Sequence, residues 1–295
     1  MRNVKSLLMF VLMIGLANTM TAQPYVDIAT FNYQTSSSTY KNNEASKNQT
    51  QWYAASVLLP KQFQNGNTFL CRITYENIQS AFDGSYHYTS TLSSISAAIG
   101  LQWVSKNKNW KTTVMAIPKL ASDFEDAIQK RDWQYGALVV SNYQCSDQLQ
   151  LKAGLYYNRE AFGNFFVPLL GVDWKASDRL RLFGMLPSNY KIEYNLVRQK
   201  VYSGFSFNAP TRSFHLAKSQ NKDYVRMDEI NLKFFTDYYA WKNIVINAEV
   251  GYPIGKSAVQ YHTESDEPSN SNPIYTALKK QPFINFGLAY RLRKD

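Results

Sequence analysis

The stretch 283–293, "FINFGLAYRLR", alternates two kinds of residue. Ile284, Phe286, Leu288, Tyr290 and Leu292 form an aromatic-aliphatic set, while Phe283, Asn285, Gly287, Ala289 and Arg291 form a mixed and wetter one. A period of two belongs to a β-strand whose faces meet different surroundings. The charged residues Arg293, Lys294 and Asp295 close the sequence, and the apolar face is expected to meet lipid. Its backbone edge then needs a strand to pair with, and the stretch near 25–35 is the expected partner. Arg293 to Asp295 are expected to lie beyond the strand, in the periplasm.

The same unit recurs along the chain. "FLCRITYE" (69–76), "LQLKAGLYYN" (149–158), "EINLKFFTDYY" (229–239) and "NIVINAEVGY" (243–252) each carry one apolar parity and one polar parity. About 9–11 tilted residues cross a bilayer as a strand, with lipid on one side and a lumen on the other. Short breaks fall near 60–66, 105–109, 145–148, 176–178, 198–199 and 241–242. They alternate with mostly longer ones at 36–48, 79–87, 119–131, 158–164, 187–189, 208–223 and 254–281. Tight turns on one side and long loops on the other are the pattern of outer-membrane barrels. The expected fold is all-β, a transmembrane antiparallel up-and-down β-barrel of fourteen strands. Pro187 and Pro210 interrupt 179–217, which leaves twelve as the alternative count.

The bulk numbers agree. A chain of 295 residues with net charge +10 and 15% aromatic residues has a mean hydropathy of -0.37. After the N-terminus no run approaches the roughly 18 apolar residues of a membrane helix. Arg2 and Lys5 precede the apolar "LLMFVLMIGLA" (7–17), and a cut after Ala22 fits the small residues that follow. Residues 1–22 therefore read as a secretory signal peptide, and 23–295 as the barrel. Cys71 and Cys145 are too few for a disulfide framework, and the strands expected between them keep them apart. Trp52, Trp103, Trp110, Trp133, Trp174 and Trp241 fall near strand ends, where amphipathic rings suit the interfacial belts. Ser122 and Glu125 stand at capping-box spacing, which predicts a helix over 122–130.

A longer pattern runs through the middle of the chain. Pro118 and Ser122-Asp123-Phe124 are followed by Gly154-Leu155-Tyr156-Tyr157, then Pro168-Leu169-Leu170-Gly171-Val172 with Trp174, then Leu186-Pro187. This order resembles an uncharacterised family of outer-membrane β-barrels common in Bacteroidota, known only as a domain of unknown function. The resemblance covers nearly all of the exported chain. It implies a fold and a location, and it brings no catalytic or ligand residues.

The chemistry-bearing residues are sparse. His87, His215 and His262 lack a Ser at a supporting spacing on the same strand face, as a lipid-modifying barrel enzyme would need. Asp123, Glu125 and Asp126, like Glu264, Asp266 and Glu267, lack the ordered spacing of a calcium loop. No cofactor or metal is expected. Function is instead expected in the lumen, lined by Arg72, Glu76, Lys152, Arg181, Lys191 and Glu193, and by Glu229, Lys233, Asp237, Glu249 and Arg291. Charges of both signs either line a water-filled pore or pair to fill a closed interior.

The leading expectation is a porin-like channel for small solutes, gated by the loops 119–131 and 254–281. A lipid-modifying barrel enzyme and a secreted β-sandwich binding or structural protein are the alternatives. The expected partners are outer-membrane lipid and lipopolysaccharide, with the barrel-assembly machinery during insertion. A monomer without nucleic acid is expected.

Overall fold

A computed structural model of the chain describes residues 24–39, 47–82, 90–217, 223–261 and 279–294. It closes where the terminal strand requires. That strand, β15 (Phe283–Arg293), runs antiparallel to β1 (Tyr25–Thr39), from Tyr25 opposite Arg293 to Ser36 opposite Phe283.

The wall continues through β2 (Lys47–Gln62), β3 (Thr68–Phe82), β4 (Ser90–Val104), β5 (Trp110–Ser122) and β6 (Trp133–Ser146). It goes on through β7 (Leu149–Glu160), β8 (Gly163–Lys175), β9 (Leu180–Leu186), β10 (Asn189–Val197) and β11 (Val201–Asn208). After the short β12 (Thr211–His215) come β13 (Tyr224–Trp241) and β14 (Ile244–Tyr261). Pairings of β4 with β5 and of β11 with β13 complete a single circuit of fourteen staves. The barrel is therefore one closed sheet, not the two packed sheets of a sandwich, and the count is fourteen rather than twelve.

Segment β12 is the fifteenth strand and no stave. It prolongs β11 past Ala209 and Pro210 along the edge of β13, from Thr211 opposite Asp228 to His215 opposite Tyr224. A single parallel bridge joins its His215 to Ser122 of β5. Proline removes a backbone donor and resists a regular ladder, which fits the break at Pro210. Beside this point the hairpin β9–β10 is short. β9 pairs with β8 only as far as Leu170, so residues 163–169 of β8 have no paired strand on that side among the described residues.

The alternation sets the faces. Ile284, Phe286 and Leu288 are 45%, 54% and 51% exposed, and Asn285 and Arg291 are buried. Ile73, Val114, Leu155, Ile192 and Phe234 continue the outward apolar band on other strands. The start of β1 and the end of β15 lie with the short connections, here called the turn end; the opposite rim is the loop end. In the turn after β4, Asn107 accepts hydrogen bonds from Asn109 N–H and the Ser105 hydroxyl, and Lys108 takes φ 60°. A polar side chain closing its own turn explains why "SKNKN" reads as a break.

Five tryptophans meet the belt expectation. Trp103, Trp110, Trp174 and Trp241 are exposed at the turn end and Trp133 at the loop end. Trp52 departs from it: it shares the inward parity of buried Ala54 and Leu58 and packs into an interior apolar cluster. The helix expected over 122–130 does not form. Asp123 accepts bonds from Glu125 N–H and Ala217 N–H, and Asp126 accepts from Ala127 N–H, so local side-chain bonding takes the backbone away from a helix. Only a 3-10 turn, Lys130–Asp132, follows. The loop-end gap between β7 and β8 narrows to residues 161–162, against the expected 158–164. Cys71 and Cys145 are unpaired. Residues 1–22, His87, His262 and Glu264, Asp266 and Glu267 lie outside the described residues.

Phe286 tests the orientation of the wall. Phe286→Arg places a charge on the outward face and is expected to destabilise the barrel by about 2–4 kcal/mol, read by denaturant unfolding in lipid vesicles. The exposed turn change Lys242→Arg is expected to leave the midpoint unchanged.

Candidate functional site in the barrel lumen

Inward side chains follow from parity, and their charges are paired across strands. At the turn end, Arg291 of β15 donates to Asp27 of β1 at 2.6 Å and to Asp237 of β13 at 2.5 Å. Its guanidinium lies 3.7 Å from the centre of the Tyr25 ring. Asn247 of β14 donates to the other Asp237 oxygen at 2.7 Å. Lys191 of β10 sits over the Phe235 ring at 4.6 Å. The fully buried Asp237 is thus charge-paired and hydrogen-bonded, as a buried carboxylate must be.

A second group stands beside it. Arg293 pairs with Glu193 and stacks at 3.4 Å on the Tyr202 ring, while its Nη1 donates to the Tyr239 hydroxyl at 3.3 Å. This corrects the expectation that Arg293 lies beyond the strand. β15 runs through Arg293, and two-residue parity from Arg291 turns its guanidinium inward. Lys233 meets Glu249 at 2.8 Å and Lys152 meets Asp173 at 2.6 Å.

The loop end is built differently. Phe214 and Leu216 join Ile78, Leu92, Ala121 and Val225 in an apolar cluster, with Trp52 and Met227 against it. Burying a side chain the size of Phe214 contributes about 1.5–3 kcal/mol. Polar contacts fix β12 around this cluster. Arg212 donates to Glu76 of β3 at 3.2 Å. Gln134 of β6 donates to the Ser213 carbonyl at 3.0 Å, and the Ser213 hydroxyl donates to Glu160 at 2.6 Å. His215 Nδ1 and Asp132 Oδ1 stand 2.5 Å apart, and the Ser122 hydroxyl donates to the His215 carbonyl. β12 therefore stays paired with β13 along its length, while contacts from β3, β5 and β6 hold it at the loop end of the lumen.

The residues expected from sequence are mostly brought together in pairs. Asp237, Lys191 and Arg291 share the first network, Lys233 and Glu249 pair with each other, and Glu193 and Lys152 take Arg293 and Asp173. Glu76 holds Arg212. Arg72 donates to Ser56 at 3.2 Å and to the Asp27 carbonyl at 3.4 Å. Glu229 accepts from Asn231 at 3.2 Å, and Arg181 donates to the Lys294 carbonyl at 3.4 Å. Asp27, Asp173, Arg212 and Arg293 escaped the sequence reading. Asp27 has the parity signal, two residues from Tyr25, but Arg212 sits in a segment with no legible period.

Of the gate expected in 119–131 and 254–281, residues 262–278 lie outside the described residues. Within the first loop Asp123 accepts from Ala217 N–H at 2.9 Å, which ties it to the segment that follows β12. His215 serves as an anchor for β12. Among the described residues its Nε2 has no hydrogen-bond partner, and Ser122 touches its carbonyl rather than its ring.

A model of one protein family matches residues 18–291. The chain belongs to that family, described as a domain of unknown function (DUF6268). No curated protein matches the sequence. Among solved structures, the chain is similar to the COG4313 outer membrane channel from Pseudomonas putida F1, with 8% identity and a TM-score of 0.47, covering 93% of this chain and 98% of that one. The TodX monoaromatic hydrocarbon channel gives 9% identity and 0.43, covering 95% and 92%. The NanC porin gives 8% identity and 0.38, covering 89% and 100%. At this level of similarity the functional reading rests on the chain's own geometry.

Removing Arg291 from the turn-end network leaves the buried Asp237 and the partly buried Asp27 without the cation they share. Arg291→Ala is expected to cost about 3–5 kcal/mol, because Asp237 and Asp27 lose their shared cation. Denaturant titration of the refolded barrel checks it.

Proposed function

We propose that this chain is an outer-membrane channel for small solutes whose passage is closed at the loop end by β12. The observation that carries the reading is the setting of β12: the continuation of a wall strand beside β13 is buried from Ser213 to His215 and is held by side chains from β3, β5 and β6. A segment so placed blocks the lumen while it stays and opens it when it leaves. Its contacts to β3, β5 and β6 are hydrogen bonds and ion pairs, which can be exchanged for water, while its ladder to β13 and the burial of Phe214 hold the closed position. In this reading the turn end faces the periplasm, residues 1–22 direct export and are removed, and lipopolysaccharide surrounds the loop end. The barrel-assembly machinery would insert a single chain as a monomer.

Single-channel conductance in a planar bilayer tests the reading. Native protein is expected to be closed or to open briefly. Arg212→Ala frees Glu76 and His215→Ala frees Asp132, and the double change is expected to raise the open fraction at least about tenfold, as two charge-assisted contacts are lost. A folded double variant without stepwise current sinks the proposal.

The bridge between Ser122 and His215 offers a reversible version. With Cys71 and Cys145 replaced by Ser, Ser122→Cys and His215→Cys put two thiols on directly opposed residues, near enough for a disulfide. The oxidised barrel is expected to stay closed and the reduced one to conduct. Equal currents in both states would remove β12 from the gating role.

A further inference from the structure

The turn end holds a cavity of about 280 Å³. Five cations line it: Lys175 at the end of β8, Arg179 in the following turn, Arg181 on β9, Arg198 after β10, and Arg293 on β15. Two carboxylates oppose them, Asp178 and Glu193. Both are already taken, since Lys175 bridges Asp178 at 2.8 Å and Arg293 pairs with Glu193. The Lys175 ammonium, hydrogen-bonded to Asp178 in the turn, holds that carboxyl below the usual carboxylate range. Arg179 and Arg198 have no carboxylate partner among the described residues.

Excess positive charge gathered around a concave space attracts anions and raises their local concentration. Guanidinium forks match the oxygens of phosphate and carboxylate two at a time, which a lone ammonium does not. The direction of the cavity narrows the ligand further. Lys175 and Asn195 share the inward parity of the buried Asp173 and Glu193, so the space opens to the lumen side of the wall rather than to lipid. The buried side-chain oxygen of Asn195 has no hydrogen-bond partner, which leaves an acceptor for a hydroxyl or protonated oxygen of a ligand.

We propose that this cavity binds a small soluble anion carrying at least two negative charges, such as a phosphate ester or a dicarboxylate. The anion seats between the arginines of the β8–β9 and β10–β11 turns, with Arg181 and Arg293 as the floor. Binding does not require passage through the barrel, so its test stands apart from the conductance of β12 variants.

The test is isothermal titration calorimetry of the full-length protein in detergent, with inorganic pyrophosphate as the probe and glucose as the neutral control. One saturable site per chain is expected for pyrophosphate, weakening as salt rises, and none for glucose. Arg179→Ser with Arg198→Ser is expected to weaken binding about tenfold or more, since two charged donors are lost. Both residues are exposed on turns, so the unfolding midpoint should not move. Asp178→Asn frees Lys175 for the ligand and is expected to tighten binding several-fold, a direction that a damaged fold would not give. Absence of saturable heat, or equal affinity in the double variant, overturns the proposal. Retention of phosphatidylglycerol over phosphatidylcholine in native mass spectrometry, lost in the double variant and without any pyrophosphate binding, would assign the site to a lipid headgroup and also overturn it.

Discussion

Hydrocarbon offers no hydrogen bonds, so a sheet that crosses it must leave no open edge. The pairing of β1 with β15 meets that demand, from Tyr25 opposite Arg293 to Ser36 opposite Phe283. Once the circuit is closed, each strand has one face in lipid and one in an enclosed interior. Charges in that interior must then find partners across strands. Arg291 does this twice, with Asp27 and Asp237, and so ties β1, β13 and β15 together at the point of closure.

The two ends of the interior are filled by different chemistry. The turn end is a set of arginines laid on tyrosines, with carboxylates beneath them: Arg291 on Tyr25, and Arg293 on Tyr202 with Glu193. The loop end is an apolar cluster around Phe214, fastened by polar groups at its edge. Stacked guanidiniums keep their charge while covering apolar surface, so they suit a region that meets anions and water. Phe214 and Leu216 suit a region that stays dry. The interior thus changes from charged and aromatic at the turn end to apolar at the loop end.

Much of this was legible in the sequence because two-residue parity is a local signal. Ile284, Phe286 and Leu288 could be sent to lipid, and Asn285 and Arg291 inward, without knowledge of any other strand. Turn positions such as 105–109 were equally local, since Asn107 closes its own turn. What stayed hidden needs positions from several strands at once. Trp52 has the composition of a belt residue and the parity of an interior one, and only the cluster around Phe214 decides between them. β12 has five residues and no period of its own, so nothing local shows that β3, β5 and β6 hold it. The helix at 122–130 failed for a related reason: Asp123 caps Ala217, a residue of another segment, rather than a helix of its own. The partners of the charged lumen residues were likewise beyond reach, because pairing depends on register across the sheet.

The short β9–β10 hairpin gives the barrel a taper. All fourteen staves stand side by side at the turn end, whereas β9 stops at Leu186 and β10 starts at Asn189, well below the loop-end rim. Barrel width grows with the number of staves. In that sector the wall therefore loses two staves toward the loop end, and β12 runs on beside β13 and meets β5 through a single bridge at His215. Pro187 and Pro210, which interrupt 179–217 in the sequence, fall at the tip of the short hairpin and at the break between β11 and β12.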